Sequence, residues 1–522
     1  MAPIIGIDLG TTNSCVAVME QGKPLVVPMA DGNVTLPSVV AFVGGERLVG
    51  DSAKRQFMNN VTQTVYAAKR LIGRSFDDSQ TQRAIANMTY PCVRGPNGDV
   101  WIAVGERNYA VQEVNAWIVA ELKEACRRHL AEDVTEAVIA VPAHFNDRQR
   151  TATKQAAKIA GLDVVRVINE PTAAALAFGM QVGAERRIAV YDLGGGTFDV
   201  SVLKVGGGAV EVLASDGDAF LGGNDFDYRI LRWLAERIEK EAGLNVSADP
   251  RLTHRLNEAA ELTKMELSNN PFAQVALPFL GTSPRGEAIN FECTLLRPLY
   301  ETLVADLIDQ TVATFTSVLR AAKVEASELD AVLLVGGMTR TPAIQHRIEE
   351  LTGKPAAAGV HPDLAVAVGA AIQGAMLTDA ATPAVLLDVA PHNLGIMTVA
   401  GLAETVIPKN CRLPAKEVRR FTTVRDNQEL VRIVVYQGDS RQIDKNQILG
   451  EFLLEKIRQA PRGQVQIDVE FVISTDGIVE VTATDVETRQ AQQIRITGSL
   501  GVDKQALEKM IADHQSLLPA AR

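Results

Sequence analysis

Apolar and polar positions follow two different periods along the chain. Up to about residue 378, short apolar runs alternate with segments that have helical spacing. Residues 137–143 (AVIAVPA) and 164–168 (VVRVI) are apolar runs, and residues 146–162 between them carry apolar side chains at helical intervals. This alternation predicts β-α-β units, which are typical of an α/β domain.

Helix boundaries can be predicted within the same region. Asn146 or Asp147 is a suitable N-cap for the helix over 146–162, and Gly161 is a suitable end. Residues 329–337 (LDAVLLVGG) are an apolar run that ends in a glycine pair, so a strand, a turn and another helix are expected there.

After residue 389 the apolar period becomes two. In the stretch 465–474 (VQIDVEFVIS) the residues predicted to share one face are Val465, Ile467, Val469, Phe471 and Ile473. Residues 479–485 and 492–498 continue the alternation, and the DG pair at 476–477 predicts a hairpin turn. Residues 389–500 are therefore predicted to form an antiparallel β-sandwich with one apolar face per sheet.

The composition changes between these two regions. Residues 378–391 contain two prolines and several small residues around a short apolar run that includes Leu386 and Leu387 and is followed by Asp388. This segment is predicted to be a linker, and its apolar side chains favour docking against a neighbouring surface.

The last 22 residues offer one short helix over 503–515, with Asp503 as its cap. The predicted organisation is an α/β domain (1–378), a linker (379–388), a β-sandwich (389–500) and a short helical tail (501–522).

Charge and composition exclude several classes of protein. The net charge is −11, which argues against nucleic acid or an anionic membrane as the main partner, because both require a basic surface. No apolar run approaches the roughly 18 residues of a membrane helix. The first residues, MAPIIGID, have no basic segment before their apolar run, so no signal peptide is expected.

Cysteine and histidine are scattered. The five cysteines include no C-x-x-C pair, which predicts reduced thiols and a cytoplasmic protein. The seven histidines show no metal-binding spacing, so a transition-metal site is not expected.

The chain contains the same short pattern twice. Residues 4–19 (IIGIDLGTTNSCVAVM) and 191–205 (YDLGGGTFDVSVLKV) each run from an apolar segment into an aspartate, Asp8 or Asp192. A turn of glycine and threonine and a second apolar run then follow in both copies.

Small residues in a turn let backbone N–H groups approach a phosphate, and an aspartate at a strand end suits a hard cation. Two such turns facing each other would hold the phosphates of one nucleotide between two duplicated lobes. The P-loop motif and the G-x-G-x-x-G motif are both missing from the sequence.

Several motifs resemble the nucleotide-binding signatures of the DnaK, or seventy-kilodalton heat-shock, chaperones. They are IDLGTTNS (7–14), INEPTAAALAFG (168–179), DLGGGTFDVS (192–201) and LLVGGMTRTP (333–342). The resemblance continues through VYAAKRLIGR (65–74), VPAHFNDRQR (141–150), LGGNDFD (221–227) and HPDLAVAVGAA (361–371). It implies a two-lobed, actin-like ATPase domain followed by an all-β sandwich and a short C-terminal helix.

The resemblance also implies a nucleotide site for ATP or ADP with Mg²⁺ and K⁺. The implied metal-binding residues are Asp8, Glu170, Asp192 and Asp199. The implied phosphate-binding residues are Gly10, Thr11, Thr12, Asn13, Gly194, Gly195, Gly196 and Thr197. The implied catalytic residues are Lys69, Glu170, Asp192 and Thr197. The residues implied to frame the adenosine are Gly223, Glu261, Lys264, Ser268, Gly336, Gly337, Arg340 and Asp363.

A second site and a coupling route are implied in the same way. The implied peptide-binding residues are Ile396, Val399, Phe421, Val431, Ile433 and Ile467. The implied coupling residues are Pro142, Arg150, Arg166, Asn169, Leu386, Leu387 and Asp388. Arg166, Asn169 and Asp388 match positions that receive a J-domain partner in the family. The implied partners are unfolded polypeptides, a J-domain co-chaperone and a nucleotide-exchange factor, for a mostly monomeric cytoplasmic protein of the stress response.

Each assignment has a structural alternative. Lys69 could be a solvated helix lysine, Asp192 could cap a turn, and Glu170 could favour a helix N-terminus. The implied peptide-binding residues could simply be sandwich core. Two further readings of the whole chain are a small-molecule kinase of the same wider fold and an actin-like filament protein.

The sequence also departs from the family pattern. His144 stands where Tyr is usual, Asn224 and Leu364 stand where Glu is common, and 22 residues stand where a long helical lid usually follows. A chain without that lid is expected to exchange peptide quickly.

Overall fold

The architecture is described from a computed structural model. The residues it describes are 3–57, 59–179, 184–246, 249–282, 287–359, 361–378, 385–398, 401–455, 457–489, 491–495, 502 and 504–516. Val399 and Asp503, which the sequence assigned to the peptide site and to a helix cap, lie outside these residues.

The first lobe is built on a mixed sheet with smaller sheets and helices around it. Its elements are β1 (Ile5–Asp8), β2 (Asn13–Glu20), β3 (Lys23–Val26), β4 (Leu36–Pro37), β5 (Val39–Val43), β6 (Glu46–Val49), α1 (Asp51–Lys54), β7 (Thr64–Tyr66), α2 (Ser79–Ile85), β8 (Cys92–Arg94), β9 (Val100–Val104), β10 (Arg107–Ala110), α3 (Val111–Leu130), β11 (Glu136–Val141), α4 (Asp147–Ile159) and β12 (Asp163–Asn169). Short 3₁₀ turns span Val61–Gln63 and Ala68–Leu71.

The second lobe repeats this plan. Its elements are α5 (Glu170–Gly179), β13 (Arg186–Leu193), β14 (Phe198–Gly206), β15 (Ala209–Asp218), α6 (Gly223–Ala242), α7 (Pro250–Asn269), β16 (Phe272–Thr282), β17 (Ala288–Leu296), α8 (Arg297–Leu303), α9 (Ala305–Ala322), β18 (Ala331–Val335), α10 (Pro342–Thr352) and α11 (Ala365–Thr378). Further 3₁₀ turns span Ala326–Glu328 and Gly337–Arg340.

The remaining elements follow α11. They are β19 (Val385–Leu387), β20 (Leu394–Met397), β21 (Ala403–Ile407), β22 (Ala415–Thr422), β23 (Leu430–Gln437), β24 (Gln447–Glu455), β25 (Gln466–Ile473), β26 (Val479–Asp485), β27 (Ala491–Arg495) and α12 (Lys504–Ser516), with a 3₁₀ turn over Ile443–Lys445.

The topology of the two main sheets confirms the duplication predicted from the paired turns. The first sheet has the order β12-β11-β1-β2-β3 and the second the order β18-β13-β14-β15-β19. In both, a central strand pairs antiparallel with the strand that follows it and parallel with a strand from later in the chain. Each glycine-rich turn therefore joins the first two strands of its own lobe.

The helix α4 and the strand before it follow the sequence prediction closely. Asn146 is the N-cap of α4, since its side chain accepts a hydrogen bond from the backbone N–H of Gln149. Strand β11 ends at Val141, two residues before the predicted end, because Pro142 has no N–H to continue the ladder.

The C-terminal sheets form a sandwich, as predicted. Two four-stranded sheets, β21-β20-β23-β24 and β22-β25-β26-β27, enclose one apolar core. The predicted inward face of β25 is buried, with Ile467 1% and Phe471 0% exposed. Gly477 has φ 77° in the turn between β25 and β26, which a glycine adopts without strain.

The segment between the second lobe and the sandwich is docked rather than free. Strand β19 pairs parallel with β15 and so becomes the edge strand of the second main sheet. Leu386 packs against the apolar cluster beneath that sheet, while Val385 is 54% exposed.

The sandwich and the tail helix both contact the two-lobed domain. The Asp147 carboxylate accepts a hydrogen bond from the Val479 N–H at 3.1 Å, and Lys409 Nζ lies 2.7 Å from Asp216 Oδ1. The tail helix α12 packs on the first lobe through the buried Met510, and Asp513 pairs with Arg107 at 2.9 Å.

Among the described residues, none of the helices combines the length and apolar character that crossing a membrane requires.

Candidate functional site

The two glycine-rich turns lie against each other at the base of the cleft between the lobes. A Cβ built on Gly195 would lie 1.9 Å from Thr12 Oγ1, and one on Gly196 would lie 2.7 Å from Thr11 Cγ2. Only glycine permits this approach, because any side chain would collide with the facing threonine. The turns therefore face each other, as the sequence pattern predicted.

The second turn is fixed by the start of helix α6. The backbone N–H groups of Gly223 and Asn224 donate to the carbonyls of Gly194 and Gly195 at 2.9 and 2.8 Å. Because these helix N–H groups have no partner within the helix, they are free to hold the loop. The positive end of the helix consequently points at the turn.

The first turn is fixed by two serines. The Gly10 N–H donates to Ser14 Oγ at 3.1 Å, and Ser38 Oγ donates to the Gly10 carbonyl at 2.8 Å. Both serines are buried, so the turn keeps one shape without support from water.

A cluster of buried carboxyl groups with a single lysine lies beside the turns. Lys69 Nζ lies 2.6 Å from Glu170 Oε1, and both side chains are buried. Burial raises the pKa of Asp8 to about 7, with the charge of Glu170 as the next cause. Burial and the charge of Glu170 likewise raise the pKa of Asp192 well above its usual range.

This excess of negative charge suits a divalent cation. Among the described residues, the carboxyl groups of Asp8, Glu170 and Asp192 outnumber the ammonium of Lys69 beside them, and carboxylate oxygens are the ligands that Mg²⁺ prefers. Within the described part of the chain, no three His, Cys, Asp or Glu side chains are arranged to hold a metal ion alone. Mg²⁺ commonly takes one or two carboxylates and completes its shell with water and substrate phosphates, so the residues fit that ion.

Asp199 lies one layer behind this cluster. Its Oδ1 accepts hydrogen bonds from the His144 N–H at 3.2 Å and from His144 Nδ1 at 2.6 Å. The His144 carbonyl in turn accepts from Nε2 of His392, which belongs to the sandwich, at 2.9 Å. The sequence flagged His144 only as a departure from the family pattern; its place between Asp199 and the sandwich required the fold.

A cavity of about 530 Å³ opens from the turns into the cleft. The predicted nucleotide residues that line it are Asp8, Gly10, Thr11, Thr12, Asn13, Lys69, Glu170, Asp192, Gly194, Gly195, Thr197, Gly223, Glu261, Lys264, Ser268, Gly336, Gly337, Arg340 and Asp363. Of the predicted set, Gly196 and Asp199 are described but lie outside the lining. The sequence missed other lining residues, among them Asn224, Asp227 and Met338.

The charged residues at the far end of the cavity are already paired with each other. Lys264 Nζ lies 2.8 Å from Asp227 Oδ1 and donates to the Gly223 carbonyl at 3.2 Å. Arg340 Nη2 lies 2.5 Å from Asp363 Oδ2. These pairs give the cavity a fixed polar wall that presents few unpaired charges.

Gly336 shapes the same wall. It has φ 82°, and a Cβ there would lie 2.3 Å from the Leu193 carbonyl oxygen, so both its conformation and its contact require glycine.

Two contacts close the cleft between the lobes above this cavity. Lys54 Nζ lies 3.7 Å from Glu261 Oε2. The ring of Phe57 stacks on the ring of His254, with 4.2 Å between the centroids and 23° between the planes. Among the described residues, neither ring nitrogen of His254 has a hydrogen-bond partner, and burial lowers the pKa of this imidazole from 6.5 to about 4. Neither Phe57 nor His254 lies in a sequence motif, so their contact could not be predicted from the sequence.

The predicted coupling residues converge below the cleft. Arg150 is buried, and its guanidinium donates to the Ala143 carbonyl at 2.9 Å and to Asn169 Oδ1 at 2.7 Å. Asn169 Nδ2 donates to Asp388 Oδ2 at 2.8 Å. Pro142 is buried at the start of the same turn, and its carbonyl accepts from the Phe145 N–H at 3.1 Å.

Arg166 lies at the edge of this group, where Nε is 3.5 Å from Asp476 Oδ1 of the sandwich. Asn169 and Asp388 are buried, at 6% and 8% exposed. Leu386 and Leu387 are half-buried on β19. In this arrangement only Arg166 of the three residues matched to a J-domain contact is accessible.

The described members of the implied peptide-binding set lie in or against the apolar core between the two sheets of the sandwich. Ile396, Ile433 and Ile467 are 7%, 3% and 1% exposed, and they belong to its core. Phe421 and Val431 are half-buried against that core. These positions are compatible both with a core role and with a closed binding cleft.

Comparison with known protein families identifies a family whose model covers the cleft, the docked linker and the sandwich together. The family model described as Hsp70 protein matches residues 4–520. The chain belongs to the Hsp70 family. Hsp70 proteins are ATP-dependent chaperones and ATPases that bind ATP or ADP with Mg²⁺. They bind unfolded polypeptides and work with co-chaperones.

Proposed function

We propose that the two-lobed domain, residues 1–378, binds and hydrolyses ATP and thereby controls peptide binding by the sandwich, residues 389–500. The linker, residues 379–388, carries the signal between them. The charged residues and the turns of the cleft support the binding and hydrolysis of ATP. The docked strand β19 supports the control of the sandwich through the linker.

The chemistry proposed for the cleft is phosphoryl transfer from ATP to water. The bond from the γ-phosphorus to its bridging oxygen breaks, and ADP leaves with that electron pair. A water oxygen forms the new bond to phosphorus, and the protons of that water pass to phosphate oxygens and solvent. Such a reaction depends mainly on positioning and on neutralising the developing charge.

Different groups in the cleft bind the phosphates and stabilise the developing charge. Backbone N–H groups of the two turns and the hydroxyls of Thr11, Thr12 and Thr197 bind phosphate oxygens. Lys69 supplies the positive charge at the γ-phosphate and helps to orient the attacking water, and Glu170 holds its ammonium at 2.6 Å.

Two aspartates serve the metal ion. Asp8 and Asp192 would hold Mg²⁺, directly or through water, and the bound ion would neutralise phosphate charge. Glu170, and Asp199 in the layer behind it, would supply oxygens for K⁺. The adenosine is framed by the wall that contains Lys264, Arg340 and Gly336.

One observation carries the proposed coupling. Asn169 and Glu170 are consecutive, and Asn169 binds the linker carboxylate of Asp388 while Glu170 holds Lys69. A change at the γ-phosphate that moves Glu170 must therefore move the residue that anchors the linker. A small-molecule kinase or a filament protein would need neither the anchor nor the sandwich.

The proposed peptide site is the space between the sandwich sheets at Ile396, Phe421, Val431, Ile433 and Ile467. An extended apolar segment can occupy such a space by bonding to loop backbone and filling the pocket with side chains. Release of β19 from β15 would free the sandwich to close on the peptide. The proposed partners are unfolded polypeptides, a J-domain protein that contacts Arg166, and a nucleotide-exchange factor.

The test uses the full chain and a fluorescently labelled apolar peptide. Release of the peptide into excess unlabelled peptide is followed by anisotropy with Mg-ATP and with Mg-ADP. We expect faster release with ATP, and formation of ADP and free phosphate that peptide accelerates. Equal release rates in the two nucleotides would contradict the coupling, and a phosphorylated small molecule as product would favour the kinase reading.

A further inference from the structure

A second, larger cavity, here called the rear cavity, also lies between the two lobes. It has a volume of about 750 Å³ and lies between the segment after α2 in the first lobe and helices α6 and α7 in the second. Its lining includes Arg70, Arg83, Phe220, Asn224 and Arg232. Nothing in the proposed function uses this cavity.

Only a thin wall separates this rear cavity from the cleft. Asn224 lines both cavities. Arg70 lines the rear cavity, and its Cγ lies 2.9 Å from where a Cβ of Gly196 would stand. Gly196 belongs to the turn that binds phosphate in the proposed function. The side chains of Arg70 and Asn224 therefore stand between that turn and the rear cavity.

Arg70 has unused capacity to bind an anion. The side chain is 8% exposed, and its Nη2 donates to the Phe220 carbonyl at 3.0 Å and to Asp225 Oδ2 at 3.2 Å. Its Nε is buried and has no hydrogen-bond partner among the described residues. An N–H donor left unpaired in a buried site is costly, and phosphate oxygens are well suited partners of a guanidinium.

Beyond Arg70, the rear cavity is lined by side chains of both positive and negative charge. Arg83 and Arg232 line the outer part of the cavity, together with Glu236 and Glu239. Arg232 lies 3.3 Å from Glu236, so that acid is partly neutralised. Asp225 lines the cavity too and offsets part of the charge of Arg70, so the feature that favours an anion at the inner end is the unpaired Nε of Arg70.

The cleft side offers a less direct exit. After cleavage, ADP would lie between the turns and the mouth of the cleft. The Lys54–Glu261 pair and the stacked rings of Phe57 and His254 close that mouth. Phosphate formed at the turns would have to pass the nucleotide to leave on that side.

We propose that inorganic phosphate leaves through the wall formed by Arg70 and Asn224 into the rear cavity, with Arg70 Nε as its first partner. No bond is made or broken in this step; HPO₄²⁻ exchanges partners in the turns for the guanidinium. The proposal rests on the proposed ATP hydrolysis.

Asn224 makes the wall passable. Its side chain is neutral, whereas a glutamate at this position would place a negative charge on the route of a dianion. Two like charges a few ångströms apart in a partly buried site repel each other, because the effective dielectric constant there is well below that of water. The exchange Asn224→Glu is therefore expected to close the route, and Asn224→Gln, which adds the same length without charge, is the matched control.

The experiment measures cleavage and phosphate release in the same single turnover of the full chain. Rapid acid quench gives the rate of cleavage, and a fluorescent phosphate-binding protein gives the appearance of free phosphate. We expect Asn224→Glu to slow release at least about tenfold relative to cleavage. Asn224→Gln is expected to keep the ratio of the two rates within about twofold of the unchanged chain.

A second pair of variants tests the outer part of the route without touching the cleft. Arg232→Glu is expected to slow release by about two- to threefold, and Arg232→Gln is expected to have a smaller effect. Equal ratios of release to cleavage in the Glu and Gln variants at both positions would overturn the proposed route. Absence of any cleavage in the unchanged chain would instead contradict the proposed ATP hydrolysis, so the two failures are distinguishable.

Discussion

Asn169 Nδ2 donates a 2.8 Å hydrogen bond to Asp388 Oδ2, across 219 residues of sequence. The next residue, Glu170, accepts from Lys69 at 2.6 Å inside the cleft. Glu170, whose carboxylate lies beside the turns, thus directly follows Asn169, whose side-chain amide anchors the linker. Thr172 Oγ1 also donates to Asp388 Oδ2 at 3.3 Å, and the Val389 N–H donates to Asp388 Oδ1 at 2.8 Å, so both oxygens of this buried carboxylate are hydrogen-bonded.

Replacing Asp388 by Asn tests the anchor. The substitution removes the charge and presents an amide N–H₂ toward Asn169, so one buried donor loses its acceptor, which costs about 1–3 kcal/mol. We expect ATP to accelerate peptide release about tenfold less in Asp388→Asn than in the unchanged chain, while calorimetry shows unchanged ATP affinity. Asp444→Asn, at an exposed position of the sandwich, is the control. Full acceleration by ATP in Asp388→Asn would show that this anchor does not couple the domains.

Lys69→Ala tests the catalytic assignment. Loss of the ammonium removes charge stabilisation at the γ-phosphate, an effect of about 10²–10³-fold in comparable sites. We expect ATP binding to persist and single-turnover hydrolysis to fall by that factor. Lys23→Ala, at an exposed strand position, should leave both unchanged. Hydrolysis at the original rate in Lys69→Ala would remove this lysine from the mechanism.

The paired turns could be predicted from the sequence because each is a local pattern. Asp8 and Asp192 end apolar runs, glycine and threonine follow, and the observed turns meet as Gly195 against Thr12. The cap at Asn146 and the inward face of β25 could be predicted for the same reason, since both depend on neighbours a few residues away.

The contacts between distant segments could not be predicted in this way. The stack of Phe57 on His254 and the contact of His392 with His144 join parts of the chain that no spacing connects. The wall formed by Arg70 depends on where the second lobe places Gly196. These contacts follow from lobe and domain packing, which one sequence does not encode as a local signal.

Phe57→Ala tests the closure of the cleft mouth. Stacked rings contribute about 0.5–1.5 kcal/mol beyond the area that they bury. We therefore expect a fluorescent ADP to dissociate about two- to tenfold faster from Phe57→Ala, measured by stopped flow. Phe272→Ala, at a side chain 45% exposed, is the control. An unchanged dissociation rate would mean that the ring stack does not limit opening of the cleft.

His254 predicts a dependence of stability on pH. Burial lowers its pKa from 6.5 to about 4, so between these values the unfolded chain binds a proton that the folded chain does not. The free energy of unfolding should therefore fall as pH falls from about 6.5 to 4, by at most on the order of 3 kcal/mol from this group.

His254→Phe isolates that contribution. It keeps a ring stacked on Phe57, and it breaks no hydrogen bond within the part of the chain that the structure describes, where neither ring nitrogen of His254 has a partner. The melting temperature of the first transition should fall less between pH 6.5 and 4.5 in His254→Phe than in the unchanged chain. Parallel curves for the two proteins would show that His254 does not titrate in this window.

The central claim is that the two facing turns hold one nucleotide and its metal ion, and calorimetry with Mg-ATP tests it most directly. The unchanged chain should bind one ATP per molecule, and the double variant Asp8→Asn, Asp192→Asn should lose most of that affinity while circular dichroism shows an intact fold. No heat of binding with the unchanged chain, or equal affinity and hydrolysis in the double variant, would contradict the claim.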